Sequence, residues 1–115
     1  MSAAKIDQLL TVRQRQQVKA QAFINDNPVA VFSKSYCPYC KASKALLTEL
    51  NANFQVMELD QVDDGAEIQA ALKELSGQST VPNIFIGGEH IGGNSDLQSR
   101  KKSDLPKLLT SAGAV

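Results

Sequence analysis

The residues best suited to chemistry are two cysteines three positions apart, in the run Cys37-Pro38-Tyr39-Cys40. A thiol pair at this spacing can open and close a disulfide, or it can supply half of a zinc site. It cannot staple the fold, because the loop it closes is too short to constrain the unfolded chain much. There is no second Cys-x-x-Cys and His90 is the sole histidine, so a zinc site would need a carboxylate to complete it. Two inert core cysteines are the other bland alternative, and the Pro and Tyr set between them argue against it. Redox chemistry is the favoured reading.

The reactivity of such a pair depends on the elements that carry it. Val29-Ala30-Val31-Phe32 is a short apolar run, partly β-branched, that suits a strand buried on both faces. From Cys40 to Leu50, Ala42, Ala45, Leu46, Leu47 and Leu50 recur at helical spacing. The motif therefore sits where a strand passes through a short loop into a helix, with Pro38 in the first turn, where an N–H has no helical partner. Unpaired N–H groups and the macrodipole at a helix start favour an anion, so Cys37 is expected to be held as thiolate. Cys40, one turn deeper, should be less exposed and less acidic. Between Asn27 and Thr48 there is no acidic residue, whereas Lys34, Lys41 and Lys44 all fall inside. The acids are elsewhere, seven of the twelve at Glu49, Glu58, Asp60, Asp63, Asp64, Glu67 and Glu74.

Magnitudes indicate what an acidic thiol would be for. A thiol with pKa about 8.5 is roughly 3% ionised at neutrality, and one with pKa about 6 is roughly 90% ionised. Nucleophilicity falls with a slope of about 0.4 to 0.5 over the same change, so attack gains only about twofold to threefold. The larger gain is in the return step, where an acidic thiol leaves more readily from its mixed disulfide.

The rest of the pattern reads as α/β. Ala4 to Asn25 forms a helical stripe through Ile6, Leu9, Leu10, Val18, Ala22 and Phe23, ended by Asn27-Pro28, with Arg13, Arg15 and Lys19 on the wet face. Phe54 to Leu59 alternates as a second strand, and Asp64-x-x-Glu67 reads as a capping box opening a helix through Ile68, Leu72 and Leu75. Asn83-Ile84-Phe85-Ile86 and Glu89-His90-Ile91 flank Gly87-Gly88, a hairpin signal, and His90 reads as a plain hairpin residue. Asn94 is the expected N-cap of a helix through Leu97, and Leu105 to Leu109 suggests a last one. Arg100-Lys101-Lys102 reads as a solvated helix face or a weak docking surface. This predicts about four strands, one pair parallel and one antiparallel, covered by helices on both faces.

Composition narrows the class. With 115 residues the expectation is a single domain spanning 1–115, with 1–27 a helical extension and 28–115 the core. Twelve basic residues balance twelve acidic ones, which removes the electrostatic argument for nucleic acid. No apolar run approaches the roughly 18 residues of a membrane span, and the start lacks a secretory apolar core. A monomer without membrane association is expected, cytoplasmic in location, with a mitochondrial one left open.

Three segments, Cys37-Pro38-Tyr39-Cys40, Thr80-Val81-Pro82 and Gly92-Gly93-Asn94-Ser95-Asp96, resemble the signature segments of the dithiol glutaredoxins in that family's order and spacing. The resemblance runs from about Asn25 to the C-terminus. It implies a thioredoxin fold with a four-stranded mixed sheet, and reduction of glutathione mixed disulfides and protein disulfides. Cys37 would be the nucleophile and Cys40 the resolving cysteine. Glutathione would be co-substrate, regenerated indirectly by the glutathione reductase system, with no metal needed. The implied groove has Lys34 and Gln78 at the glycine carboxylate, and Thr80, Val81 and a cis Pro82 along the peptide backbone. Gly93 would give close approach, Ser95 an amide for the γ-glutamyl carboxylate, Asp96 a partner for the ammonium, and Tyr39 a flanking wall. Thioredoxin itself fits poorly, since the chain has no Trp. The alternative from another class is a dimeric carrier of a glutathione-ligated [2Fe–2S] cluster, against which Pro38 stiffens the loop.

Overall fold

The computed structural model of this chain describes residues 10–115, so Ile6 and Leu9 of the expected first stripe lie outside the described residues. Helix α1 spans Val12–Asp26. Thr11 caps it: the Thr11 hydroxyl accepts from the Gln14 amide at 3.1 Å and the Gln14 side chain accepts from the Thr11 amide at 2.9 Å. Its buried residues are Ala20 and Ile24, with Phe23 packed beside them. Val18 and Ala22, expected on the apolar face, are exposed, since the core is met by the Ala20–Ile24 pair four positions apart.

The sheet is built from β1 (Val29–Ser33), β2 (Gln55–Glu58), β3 (Asn83–Ile86) and β4 (Glu89–Gly92), in the order β2-β1-β3-β4. β1 pairs parallel with β2 and antiparallel with β3, and β3 pairs antiparallel with β4, so the expected mixed sheet is present. Every residue of β1 and β3 is buried, as their apolar runs foretell for central strands. Gly87 and Gly88 turn the hairpin with φ of 59° and 82°, a pair of left-handed positions that glycine adopts without a Cβ penalty.

Helices α2 (Pro38–Glu49), α4 (Asn94–Ser99) and α5 (Leu105–Ser111) cover one face, and α1 and α3 (Gly65–Ser76) cover the other. On the first face Val29, Val31, Ile84 and Ile86 meet Leu46, Leu47, Leu97, Leu105 and Leu109. On the second, Ala30, Phe32 and Phe85 meet Ile24, Ile68 and Leu72, and the Phe32 and Phe85 rings lie edge to face at 6.0 Å. Each of the Val, Ile, Leu and Phe side chains withdrawn from water contributes about 1.5 to 3 kcal/mol before the entropic cost of ordering it. Ala45 and Leu75, also expected inside, are exposed, at the outer margins of α2 and α3.

Three further expectations change at element ends. Asp64 occupies the N-cap of α3 without capping it through its side chain, because the carboxylate is drawn to Lys19 on α1 at 2.7 Å. Gly93, and not Asn94, is the N-cap of α4, and Asn94 faces α2 instead. Arg100-Lys101-Lys102 lies in the turn before α5, where Lys101 reaches Glu49 at 3.4 Å. Among the described residues, no helix is long and apolar enough to cross a membrane.

Candidate active site

β1 runs out of the core at Ser33, and a turn closed by the Cys37 amide donating to the Lys34 carbonyl at 3.0 Å delivers the chain to α2. Cys37 is the N-cap of α2 and Pro38 its first residue. The Cys37 sulfur accepts the Cys40 amide N–H at 3.2 Å, filling the place a Ser or Asp oxygen takes in an ordinary cap. It also lies 3.9 Å from the Val81 carbonyl oxygen. The sulfur thus stands at the end of the helix where main-chain N–H groups have no partners within the helix.

Both cysteines are free, Cys37 partly exposed and Cys40 fully buried. Burial, and then the hydrogen bond with the Cys37 sulfur, pushes the Cys40 thiol up from its ordinary value. The expected division into an accessible and a withheld thiol is thus present in the geometry. Of the three lysines around the motif, Lys44 is taken up by Glu58 of β2 at 3.1 Å. The turn before Cys37 is held from across the fold by Asp60, whose carboxylate accepts from the Ser35 amide at 2.9 Å and from the Ser35 hydroxyl. Those two bonds, the hydroxyl's first, hold the Asp60 carboxyl below its ordinary value.

A groove of about 340 Å³ opens beside Cys37, lined by Tyr39, Thr80, Val81, Pro82, Gly93, Asn94 and Ser95. Six of the residues singled out in the sequence therefore share one wall, and Asn94 joins them. The Val81–Pro82 peptide bond is cis. Among the described residues nothing accepts the Val81 N–H, so that donor is open to a ligand. Tyr39 is 68% exposed and stands over the groove as a free aromatic face. Lys34, Gln78 and Asp96 are not part of the lining. Lys34 lies in the turn before Cys37, near enough to Asp60 to act on its carboxyl. The Gln78 amide nitrogen donates to the Thr80 and Pro82 carbonyls at 3.0 and 2.9 Å. The Asp96 carboxylate accepts from the Gly93 amide at 2.9 Å. Gly92 makes this possible: its φ is 122°, and a Cβ there would run into the Asp96 carboxylate.

Several participants escaped sequence reasoning. Asp60 acts from 25 residues away, with no local signal. Tyr36 is 68% exposed next to Cys37. Gln69 holds the Ser79 carbonyl at 2.7 Å, and Ser43, buried within α2, donates to Asn94 at 2.9 Å. A larger cleft of about 730 Å³ between α1 and α3 contains neither cysteine. Among the described residues no three His, Cys, Asp or Glu side chains gather as metal ligands.

Comparison with known proteins gives a consistent picture. The Glutaredoxin family model matches residues 29–91. The chain is similar to Glutaredoxin-C1 of Arabidopsis thaliana, at 53% identity over 98 residues covering 84% of this chain and 78% of the relative. It is equally similar to a glutaredoxin of Ricinus communis, of which 96% is covered. Among solved structures, a buckwheat glutaredoxin–glutathione complex superposes with a TM-score of 0.87 at 46% identity, covering 90% of this chain and 94% of that one. A wheat glutaredoxin superposes with the same TM-score at 49% identity, covering 91% of this chain and 100% of that one.

Proposed function

The chain belongs to the glutaredoxin family and is a thiol–disulfide oxidoreductase, and from that premise we propose that its reductant is glutathione and its main substrates are glutathionylated proteins. The observation that carries this reading is the Cys37 sulfur capping α2 beside a groove with an open Val81 N–H. An extended peptide can pair with the Val81 main chain as an added strand while its sulfur meets Cys37. The related buckwheat protein is described in complex with glutathione, which supports the same ligand here.

In the first step the Cys37 thiolate attacks the glutathione sulfur of a protein mixed disulfide. A Cys37–glutathione bond forms, the protein sulfur leaves as thiolate, and it takes up a proton. A second glutathione thiolate then attacks the glutathione sulfur on Cys37, forming oxidised glutathione and returning the Cys37 thiolate. With a protein disulfide, Cys37 forms a mixed disulfide with one protein sulfur. Cys40 then attacks the Cys37 sulfur, closes the Cys37–Cys40 bridge and frees the second protein thiol, and two glutathiones reduce the bridge.

In the groove, Tyr39 walls the tripeptide, Thr80, Val81 and Pro82 line its backbone, and Gly93 and Ser95 receive its γ-glutamyl end. Asp96 pairs with the ammonium and Lys34 with the glycine carboxylate. Gln78 contributes through the loop it holds.

The deciding experiment is steady-state reduction of a glutathionylated peptide, with glutathione as the only reductant and oxidised glutathione recycled by its reductase. Turnover saturable in peptide supports the proposal. Turnover that needs a different dithiol reductant, with none from glutathione, overturns it.

A further inference from the structure

Gln78 and His90, twelve positions apart, meet behind the groove. Gln78 Nε2 donates to the carbonyls of Thr80 and Pro82, which stand on either side of Val81. Its Oε1 lies 3.2 Å from His90 Nε2, which is also 2.9 Å from Asn83 Oδ1. The Asn83 orientation is fixed independently, because its amide nitrogen donates to the Gln78 carbonyl at 3.5 Å and to the Ser76 hydroxyl at 3.2 Å, whose own proton goes to the Leu72 carbonyl. The Gln78 orientation is fixed as well, since a flipped amide would set its oxygen against two carbonyl oxygens. Two oxygens converging on one ring nitrogen require that nitrogen to carry the proton, so His90 is the Nε2–H tautomer.

We propose that His90 is a positioning residue for glutathione turnover: its Nε2–H locks the Gln78 amide in the orientation that holds the Thr80 and Pro82 carbonyls, and so sets the Val81 main chain. This rests on the glutathione reading above. A flipped Gln78 would turn its own N–H toward the His90 N–H, so the imidazole excludes the wrong rotamer by donor against donor. Phe85 holds the ring from β3, with centroids 5.0 Å apart. Burial favours the uncharged ring, against a smaller opposing pull from Asp96.

His90 is the only histidine, so its ring nitrogens give one unambiguous set of signals in a long-range ¹⁵N–¹H correlation spectrum of the intact protein. The Nε2–H tautomer is expected, and the Nδ1–H tautomer would overturn the role before any variant is made. His90→Phe keeps a ring against Phe85 without the donor, and His90→Gln returns an N–H near the lost one. The Phe variant should show a KM for glutathionylated peptide raised about fivefold, the effect of one hydrogen bond, with kcat within about twofold. The Gln variant should recover most of it. Gln78→Leu should raise KM at least as much, since it removes the two carbonyl bonds themselves, and the double variant with His90→Phe should be no worse than Gln78→Leu, because His90 acts through that amide. Independent effects that multiply, or an unchanged KM in His90→Phe, overturn the role while leaving the activity standing. Absence of wild-type turnover overturns the activity and this role together.

Discussion

The Cys40 amide donates to the Cys37 sulfur at 3.2 Å, whereas the Cys40 side chain is fully buried beneath it. In the proposed mechanism one residue thus serves Cys37 twice, by its main chain before attack and by its thiol afterwards. The two services separate under mutation, because replacing the side chain leaves the amide in place.

Cys37→Ser should abolish turnover of both substrate classes. Cys40→Ser should keep deglutathionylation within about threefold and lose the reduction of protein disulfides that depends on a resolving thiol. Steady-state assays on a glutathionylated peptide and on a protein disulfide check this. A Cys40→Ser protein dead on the peptide would reverse the assignment of roles.

Accessibility should order the alkylation. Iodoacetamide should modify Cys37 in the folded protein and Cys40 only in denaturant, read by mass spectrometry. Because burial raises the Cys40 thiol, its thiolate is scarce at neutrality and increases about tenfold per pH unit below its midpoint. Resolution of a Cys37 mixed disulfide, followed by rapid mixing, should therefore accelerate steadily from neutral into alkaline pH, and a flat profile would contradict the burial.

Stability should fall with acid in two stages. His90 titrates lower in the fold than its ordinary 6.5, so the unfolded chain binds the proton more readily. Stability from this group is present above 6.5 and is lost as pH falls toward the folded value. Asp60 and Asp64 titrate below their ordinary 3.8, Asp60 through Ser35 and Asp64 through Lys19. Their contribution is present above 3.8 and is lost as pH drops further. Urea titrations across pH should show both stages, His90→Gln flattening the upper one and Asp60→Asn the lower one.

Gly92→Ala should cost about 1 to 3 kcal/mol and reduce kcat/KM for the glutathionylated peptide, because it strains φ and displaces the carboxylate that holds the Gly93 amide. Gly88→Ala is the control. Its φ is 82° in open space, so it should destabilise through the backbone alone and leave kcat/KM unchanged.

How far the sequence foretold this structure depends on whether a feature is local. The strand, loop and helix around Cys37 were legible because Val29 to Phe32 is uninterrupted and Pro38 marks a first turn. The hairpin was legible from Gly87-Gly88. Caps were not: Thr11-x-x-Gln14 forms a capping box and Asp64-x-x-Glu67 does not, although both carry the signal, because Lys19 from α1 competes for Asp64. Lys44 shows the same limit, since its partner Glu58 belongs to another element. The groove's three segments could be found from their motifs. The supports behind them, Asp60 under Ser35 and His90 against Gln78, exist only once the strands are paired.

The Ser43 hydroxyl, buried in α2, grips Asn94 of α4 across 51 residues of chain. The helix that carries the two cysteines is therefore riveted directly to the wall of the neighbouring groove. Transplanting Cys37-Pro38-Tyr39-Cys40 alone into another scaffold would carry over the blade without its anvil; a functional graft has to bring the Ser43–Asn94 rivet with it.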